Sequence, residues 1–243
     1  MEAVVEKTNC RVCCEDTETD FILEWRGFQL RKCHKCGVIF SDTRIKKEYV
    51  FEASKNHAPS MFGDDLLGKK KEYDRIKEAR WQLELIEEFV KPGKIFDVGA
   101  AGGTFLSIAR ARKWKIYGNE VSDTCIRIAK QVYDINLHKG FLEDEVADSS
   151  YNAVVMWNVL EHLYEPLDAL QHIKKMLVPG GVILTKLPMH TAETIQSQHM
   201  LPDHLNNWSE TSLDYLLEKV GLHRVENISG FDGSLPTLVA VIK

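Results

Sequence analysis

Residues 95–103 read Ile95-Phe96-Asp97-Val98-Gly99-Ala100-Ala101-Gly102-Gly103. The apolar start predicts a short buried strand, and the glycines after it predict a tight turn into a helix. A dinucleotide fingerprint G-x-G-x-x-G would need glycines at 99, 101 and 104, but positions 101 and 104 are Ala and Thr. The carboxylate of Asp97 would repel a pyrophosphate, whereas it suits a ligand that carries an ammonium and a sulfonium group. The stretch therefore predicts a ligand-binding turn, although close packing alone would also explain such a turn.

Strands and helices alternate on the carboxyl side of this turn. Repeated strand–helix units predict an α/β fold with a doubly wound, Rossmann-like sheet, in which ligands lie beyond the carboxyl ends of the strands. Upstream, apolar residues at helical spacing predict a helix that ends at Pro92-Gly93. The further strands are predicted over Lys115–Asn119, Ala153–Trp157, Val182–Leu187, Val225–Ile228 and Leu238–Ile242, and the further helices begin at Thr104, at Ser122 or Asp123, at Pro166 and at Ser209.

A second carboxylate stands at the end of the second predicted strand of this sheet. Glu120 lies 23 residues after Asp97, at the position where a carboxylate can accept both hydroxyl groups of a ribose. An ordinary solvated acid at a strand end is the alternative interpretation.

Composition bounds the kind of protein. The chain has 243 residues, 44% hydrophobic and 28% charged, which excludes wholesale disorder and a long multidomain assembly. Its apolar runs are far shorter than a membrane span requires, and the amino terminus has no apolar signal core, so we expect a cytoplasmic protein without a membrane partner. The net charge of -5 does not indicate a nucleic-acid partner.

Five of the six cysteines lie within the first 36 residues. Two Cys-x2-Cys pairs, separated by 19 residues, match the spacing of a structural four-thiolate zinc site. Cys14 could replace Cys13 as a ligand, although that substitution would give a less regular spacing, and reduced cysteines without a metal are the alternative for the whole cluster. The predicted zinc ligands are Cys10, Cys13, Cys33 and Cys36.

The cysteine cluster and the sheet suggest two domains. Alternating residues on either side of Gly27 predict a hairpin, so the amino-terminal piece is predicted to be a zinc ribbon whose metal replaces a core too small to fold alone. Charged and small residues without period follow it. The predicted organisation is a zinc ribbon over 1–42, a connector over 43–72 and a large domain over 73–243.

The large domain resembles class I S-adenosylmethionine-dependent methyltransferases. The resemblance rests on residues 95–103, on Gly118-Asn119-Glu120, on Val159-Leu160-Glu161-His162-Leu163 and on Leu177-Val178-Pro179-Gly180-Gly181. It implies a seven-stranded sheet with the last strand antiparallel, and S-adenosylmethionine as cofactor. It also implies which residues bind the cofactor: Asp97, Gly99, Ala101 and Gly103 the methionine half, Glu120 the ribose, Phe141 and Leu142 the adenine, and Asn158 the region near the methyl group.

The ribbon together with residues 201–209 is similar to nucleotide-sugar C-methyltransferases, which carry a Tyr-x-Glu-His-Leu segment before an aromatic-Ser pair. In this chain Leu201 replaces the Tyr and Asp203 replaces the Glu, and the long carboxy-terminal domain of those enzymes is lacking. The resemblance makes His204 the best candidate base, with Asp203 beside it. His162 is a second candidate, for which a structural role near the ligand is an equal alternative.

These observations favour methyl transfer to a small molecule, such as a sugar or another cell-envelope precursor. An RNA methyltransferase is the alternative, because some of those enzymes also begin with a four-ligand ribbon. Its phosphate-contacting face would comprise Arg31, Lys32, Lys35, Arg44, Lys46 and Lys47. A non-catalytic module that binds the cofactor is a third possibility, and the sequence leaves the acceptor and the oligomeric state open.

Overall fold

Thirteen strands are present in the computed structural model, which describes residues 4–25, 27–49, 69–198, 204–229 and 236–242. In chain order they are β1 (Val5–Lys7), β2 (Thr19–Trp25), β3 (Phe28–Cys33), β4 (Ile39–Ser41), β5 (Thr43–Ile45), β6 (Lys94–Val98), β7 (Lys115–Glu120), β8 (His138–Lys139), β9 (Tyr151–Trp157), β10 (Leu177–Lys186), β11 (Asn206–Asn207), β12 (Leu222–Ser229) and β13 (Pro236–Ile242).

Within the described ranges, six α-helices and three short 3-10 turns connect these strands. The helices are α1 (Lys69–Phe89), α2 (Thr104–Ala111), α3 (Asp123–Tyr133), α4 (Pro166–Met176), α5 (Ala192–Gln198) and α6 (Glu210–Lys219). The 3-10 turns are Lys47–Tyr49, Leu142–Asp144 and Leu160–His162. None of the helices described is long and apolar enough to cross a membrane.

The large sheet has seven strands in the order β12-β13-β10-β9-β6-β7-β8. Strand β6 pairs in parallel with β7 and with β9, and β7 pairs in parallel with β8. The last strand, β13, runs antiparallel to β12. The predicted α/β, Rossmann-like sheet with an antiparallel last strand is confirmed.

Local chemistry explains where the helices of this fold begin. The Ser122 hydroxyl accepts a hydrogen bond from the Cys125 N–H at 3.4 Å, so Ser122 rather than Asp123 is the N-cap of α3. Ser209 caps α6 in the same way, accepting from the Ser212 N–H at 3.3 Å. The predicted helix start at Ser209 therefore corresponds to the observed cap.

The boundary between α4 and β10 differs from the prediction. The sequence predicts that Val178-Pro179-Gly180-Gly181 separates a helix from a strand that begins at Val182, but β10 already begins at Leu177. Pro179 lacks an N–H and disfavours the helical conformation for Val178, so the chain leaves α4 at Met176 and continues in an extended conformation.

A second sheet contains the cysteine-rich segment. Its order is β11-β4-β3-β2, with each pair antiparallel, and β1 pairs separately with β5. The predicted hairpin strands about Gly27 are β2 and β3. Gly27 has a left-handed φ of 85°, which glycine adopts readily because it has no Cβ atom. The ribbon sheet thus gains its fourth strand from a segment far along the chain.

The chain divides into two compact units. The ribbon unit comprises Met1–Lys47, Asn158–His172 and Thr185–Lys243, and the glycine-loop unit comprises Glu48–Trp157 and Ile173–Leu184. Helix α1 begins at Lys69, inside the stretch predicted as a connector, of which residues 50–68 lie outside the described part. The domain boundaries at 42 and 72 stay a prediction.

Candidate functional site

The turn after β6 has the backbone of a ligand-binding loop. Gly99, Ala101 and Gly103 have left-handed φ values of 68°, 47° and 80°. The Ala100 N–H donates to the carbonyl oxygen of Asn119 at 3.0 Å, so the loop is hydrogen-bonded to the end of β7. Alternating left-handed residues of this kind form concave surfaces lined by main-chain N–H groups. The loop thus brings together three of the residues predicted to bind the methionine half of the cofactor.

Glu120 connects this loop to the end of β7. Its carboxylate accepts hydrogen bonds from the N–H groups of Ala101 at 2.9 Å, Val121 at 2.7 Å and Ser122 at 2.9 Å. The residue is only 8% exposed. A carboxylate has about four lone-pair positions, so the three N–H donors leave acceptor capacity for a hydroxyl group. The position fits the predicted ribose contact.

Asp97 is a buried acid, and no basic residue in the described part of the chain forms an ion pair with it. It is 1% exposed, and among the described residues its Oδ1 atom has no hydrogen-bond partner. Burial, and then the nearby Glu120 carboxylate, raise the pKa of Asp97 well above its ordinary value. A buried carboxyl group of this kind is stabilised in its charged form by a cation, which agrees with a ligand that carries ammonium and sulfonium groups.

The residues predicted to contact the adenine follow the short strand β8. The Asn119 amide donates to the Gly140 carbonyl oxygen at 2.9 Å, which fixes this segment beside the end of β7. Leu142 is buried and Phe141 is partly buried. Asn158, the first residue after β9, belongs to the ribbon unit; it is exposed and has a left-handed φ of 55°.

Four buried thiols meet in the ribbon unit. The Sγ atoms of Cys10 and Cys36 are 3.5 Å apart, and those of Cys13 and Cys33 are 3.7 Å apart. Zn–S bonds of about 2.3 Å in a tetrahedron separate the sulfur atoms by about 3.8 Å, so the four thiols fit a zinc ion. Cys14 is exposed and is not a member of this group.

The protonation of these thiols also suits a metal. Hydrogen bonding to Cys36 lowers the pKa of Cys10, whereas burial raises the pKa of Cys13. The close packing of four thiols therefore favours one thiolate and opposes a second. A divalent cation removes this opposition, because it replaces the protons of all four thiols. The predicted structural zinc site is supported by this chemistry.

Two candidate histidines meet in the ribbon unit. The rings of His162 and His204 are 4.9 Å apart between centroids and nearly perpendicular, and the Glu161 carboxylate lies with them in a group whose ligand atoms are all within 4.8 Å of one another. Glu161 is 1% exposed, whereas both histidines are partly buried. The predicted candidate Asp203 lies outside the described residues.

A third histidine, which the sequence analysis does not single out, lies beside this pair. The His190 ring is 6.4 Å from that of His204, and burial lowers the pKa of His190. The main-chain N–H of His190 donates to the carbonyl oxygen of Trp208 at 2.8 Å. No sequence signal marks this residue, because a single histidine after a strand has no characteristic spacing. Neutral imidazoles in such a group can accept a proton.

A family model described as a methyltransferase domain matches residues 71–227, well over half of the chain. The chain belongs to this methyltransferase family. The prediction of a class I S-adenosylmethionine-dependent methyltransferase is thereby confirmed.

Solved structures share the fold of this methyltransferase. Magnesium protoporphyrin IX methyltransferase (ChlM) from Synechocystis PCC 6803, solved with bound SAH, is 14% identical with a TM-score of 0.60, over 82% of this chain and 100% of that one. CalS10 from Micromonospora echinaspora, an amino pentose methyltransferase solved with bound SAM, is 14% identical with a TM-score of 0.56, over 70% and 92%. DesVI from Streptomyces venezuelae is 18% identical with a TM-score of 0.59, over 77% and 98%.

No curated protein matches this methyltransferase in sequence. At the identities found among solved structures, similarity establishes the fold alone. The predicted cofactor residues other than Asn158 lie in the glycine-loop unit, and Asn158 and the two candidate histidines lie in the ribbon unit.

Proposed function

We propose that this methyltransferase methylates a small molecule, such as a sugar or another cell-envelope precursor, and that His204 accepts the proton that the acceptor loses. The observation that carries the proposal is the contact between the His204 and His162 rings beside the buried Glu161 carboxylate. Side chains that can move a proton are useful where the acceptor is a hydroxyl, an amine or an acidic C–H group.

The donor side of the proposal rests on residues of the glycine-loop unit and on Asn158. S-adenosylmethionine, when bound, supplies a methyl group on a positively charged sulfur. Asp97 would hold the positively charged end, because its buried Oδ1 atom has no hydrogen-bond partner among the described residues. The other proposed contacts are Gly99, Ala101 and Gly103 to the methionine half, Glu120 to the ribose, Phe141 and Leu142 to the adenine, and Asn158 near the methyl group.

The chemistry of the acceptor side follows from in-line displacement. His204 would take the proton from the acceptor atom, which leaves an electron pair on that atom for the methyl group that S-adenosylmethionine would supply. His162, in contact with the His204 ring, would orient it. Alignment of the reactants contributes the larger part of the rate in such a reaction, and proton transfer adds roughly 10²–10⁴-fold.

Replacement of His204 tests this proposal. His204→Ala should retain S-adenosylmethionine binding, measured by calorimetry, and lose turnover by roughly 100-fold or more, measured as S-adenosylhomocysteine release with a panel of nucleotide-linked sugars and envelope precursors. His223→Ala is the matched control, because His223 is an exposed histidine of the same unit. Unchanged turnover in His204→Ala would remove this residue from the mechanism.

The structure gives no support to the RNA alternative at three of the six basic residues. Arg44 is only 11% exposed in its side chain and pairs with Glu6 and Glu165. Lys35 pairs with Glu15, and Arg31 donates to the Thr19 hydroxyl at 2.8 Å. Cations that are already paired with local acids or held in the ribbon sheet are less available to phosphates, so these contacts weigh against the RNA-binding face.

A further inference from the structure

The segment that follows His204 is a strand of the ribbon sheet. Asn206 pairs with Phe40 and Asn207 with Ile39 in the antiparallel ladder between β11 and β4. The Ser41 N–H donates to the Leu205 carbonyl oxygen at 3.1 Å, which extends the pairing by one residue toward His204. The backbone that follows His204 is therefore hydrogen-bonded to the ribbon and is not part of an unpaired loop.

The two adjacent asparagines of β11 connect this strand to two different segments. The Asn206 amide donates to the carbonyl oxygen of Leu163, the residue after His162, at 2.8 Å. The Asn207 amide donates to the Ile39 carbonyl oxygen of the ribbon at 3.2 Å. Both asparagines are 2% exposed, and adjacent residues of a strand point to opposite faces. Asn206 thus links the two histidine segments, and Asn207 links them to β4.

The metal site lies at the start of this path. Strand β3 ends at Cys33, whose N–H donates to the Val38 carbonyl oxygen at 3.0 Å, and β4 begins one residue later, at Ile39. A continuous series of main-chain hydrogen bonds therefore runs from the second pair of thiols through β4 to β11. The ion would fix the first member of this series, because it would join Cys33 and Cys36 to Cys10 and Cys13.

A second connection joins the ribbon to the segment after His162. The Arg44 guanidinium donates to the Tyr164 carbonyl oxygen at 2.8 Å and to Glu165 at 3.1 Å. The Arg11 side chain, between Cys10 and Cys13 in sequence, donates to the same carboxylate at 2.6 Å. Both sides of the histidine pair are therefore attached to residues of the ribbon.

We infer that the zinc ribbon positions the catalytic histidines of this methyltransferase: the metal orders β4, β4 orders β11, and β11 holds the His204 ring against the His162 ring. Asn206 and Asn207 are positioning residues in this arrangement. The inference rests on the proposed role of the histidines, but the coupling between metal and histidine geometry can be measured without turnover.

Replacement of one metal ligand in the full chain tests the coupling. Cys36→Ser should lose zinc, raise the hydrogen-exchange rate of the segment 204–208 by roughly tenfold or more, and shift the His204 imidazole signals of histidine-labelled protein. Turnover should fall by roughly tenfold or more, since small displacements of catalytic groups are costly, while the dissociation constant for S-adenosylmethionine stays within about twofold. Cys14→Ser, which replaces an exposed cysteine outside the group of four thiols, is the matched control and should leave all five readouts unchanged.

The Asn206→Asp variant tests the same inference with the metal in place. It keeps the size of the side chain but replaces the donor to Leu163 with an acceptor, so the His204 signals should shift and kcat should fall by roughly tenfold with zinc retained. Asn206→Ser is the second variant if the carboxylate prevents folding. Unchanged exchange at 204–208 and unchanged His204 signals in zinc-free Cys36→Ser would overturn the inference. Normal turnover in His204→Ala, together with faster exchange at 204–208 in Cys36→Ser, would instead overturn the catalytic role of His204. The coupling between the metal and this segment would still hold.

Discussion

The backbone at Ala101 holds an L-residue in a conformation that favours glycine. Its φ is 47°, and the left-handed region costs a residue with a Cβ atom about 1–2 kcal/mol. Ala101→Gly should therefore raise the free energy of unfolding by about 1 kcal/mol, after the greater flexibility of glycine in the unfolded chain is subtracted. Chemical denaturation measures this change.

Gly103→Ala is the opposite control in the same loop. Gly103 has a φ of 80°, and a Cβ atom placed there would lie 3.1 Å from the Ala129 Cβ atom. This variant should lower the free energy of unfolding. A lower value for Ala101→Gly as well would mean that the loop does not hold the left-handed conformation in solution.

The buried acid at the end of β6 should make donor binding depend on pH. The pKa of Asp97 is raised in the folded protein, so the folded state holds a proton that the unfolded chain has already lost. The free energy of unfolding should therefore fall as pH rises from the ordinary pKa of an aspartate to the raised pKa. A cationic donor favours the ionised form, so affinity for S-adenosylmethionine should increase as pH rises over the same range. Calorimetry at several pH values measures this dependence.

Asp97→Asn separates these two effects. The amide stays neutral, so the variant without ligand should melt at a higher temperature than the wild type at neutral pH. Its affinity for S-adenosylmethionine should fall by at least tenfold, equivalent to about 1.4 kcal/mol. A variant that binds the donor as tightly as the wild type would show that Asp97 does not contact the positive charge.

At the scale of elements, the metal site distinguishes two cysteines that are adjacent in sequence. Cys13 is buried within the group of four thiols, whereas Cys14 is exposed with a left-handed φ of 56°. Cys13→Ser should therefore lose bound zinc, and Cys14→Ser should retain one zinc ion per chain, measured by elemental analysis of the purified protein. Retention in Cys13→Ser together with loss in Cys14→Ser would assign the ligand to Cys14.

Elements with their own sequence signal could be predicted, and those defined by a distant partner could not. Strand β6 and the start of helix α3 follow from an apolar run and a serine cap, and each begins within one residue of its predicted start. Strand β11 consists of two asparagines, which have neither periodicity nor strand propensity. It is a strand because it pairs with β4, which lies more than 160 residues earlier in the chain.

The same distinction applies to the candidate site within the whole molecule. Asp97, Ala101 and Glu120 could be chosen from sequence because each stands at the carboxyl end of a predicted strand or in the turn after it, where the fold concentrates ligand contacts. The contact between His162 and His204 joins residues that no period or motif relates. Only the folded ribbon unit brings these two rings together.

For the molecule as a whole, charge predicts that RNA is not a partner. The net charge is -5, Arg44 is paired with two acids, and Lys35 is paired with Glu15. We expect no RNA binding at protein concentrations up to about 10⁻⁴ M, which covers the dissociation constants of about 10⁻⁴–10⁻⁶ M that non-specific binders have. Fluorescence anisotropy with a labelled single strand and a labelled hairpin, at 50 and 200 mM salt, measures this directly. Binding that weakens steeply between those two salt concentrations would indicate released counterions, and it would favour an RNA acceptor over a sugar or an envelope precursor.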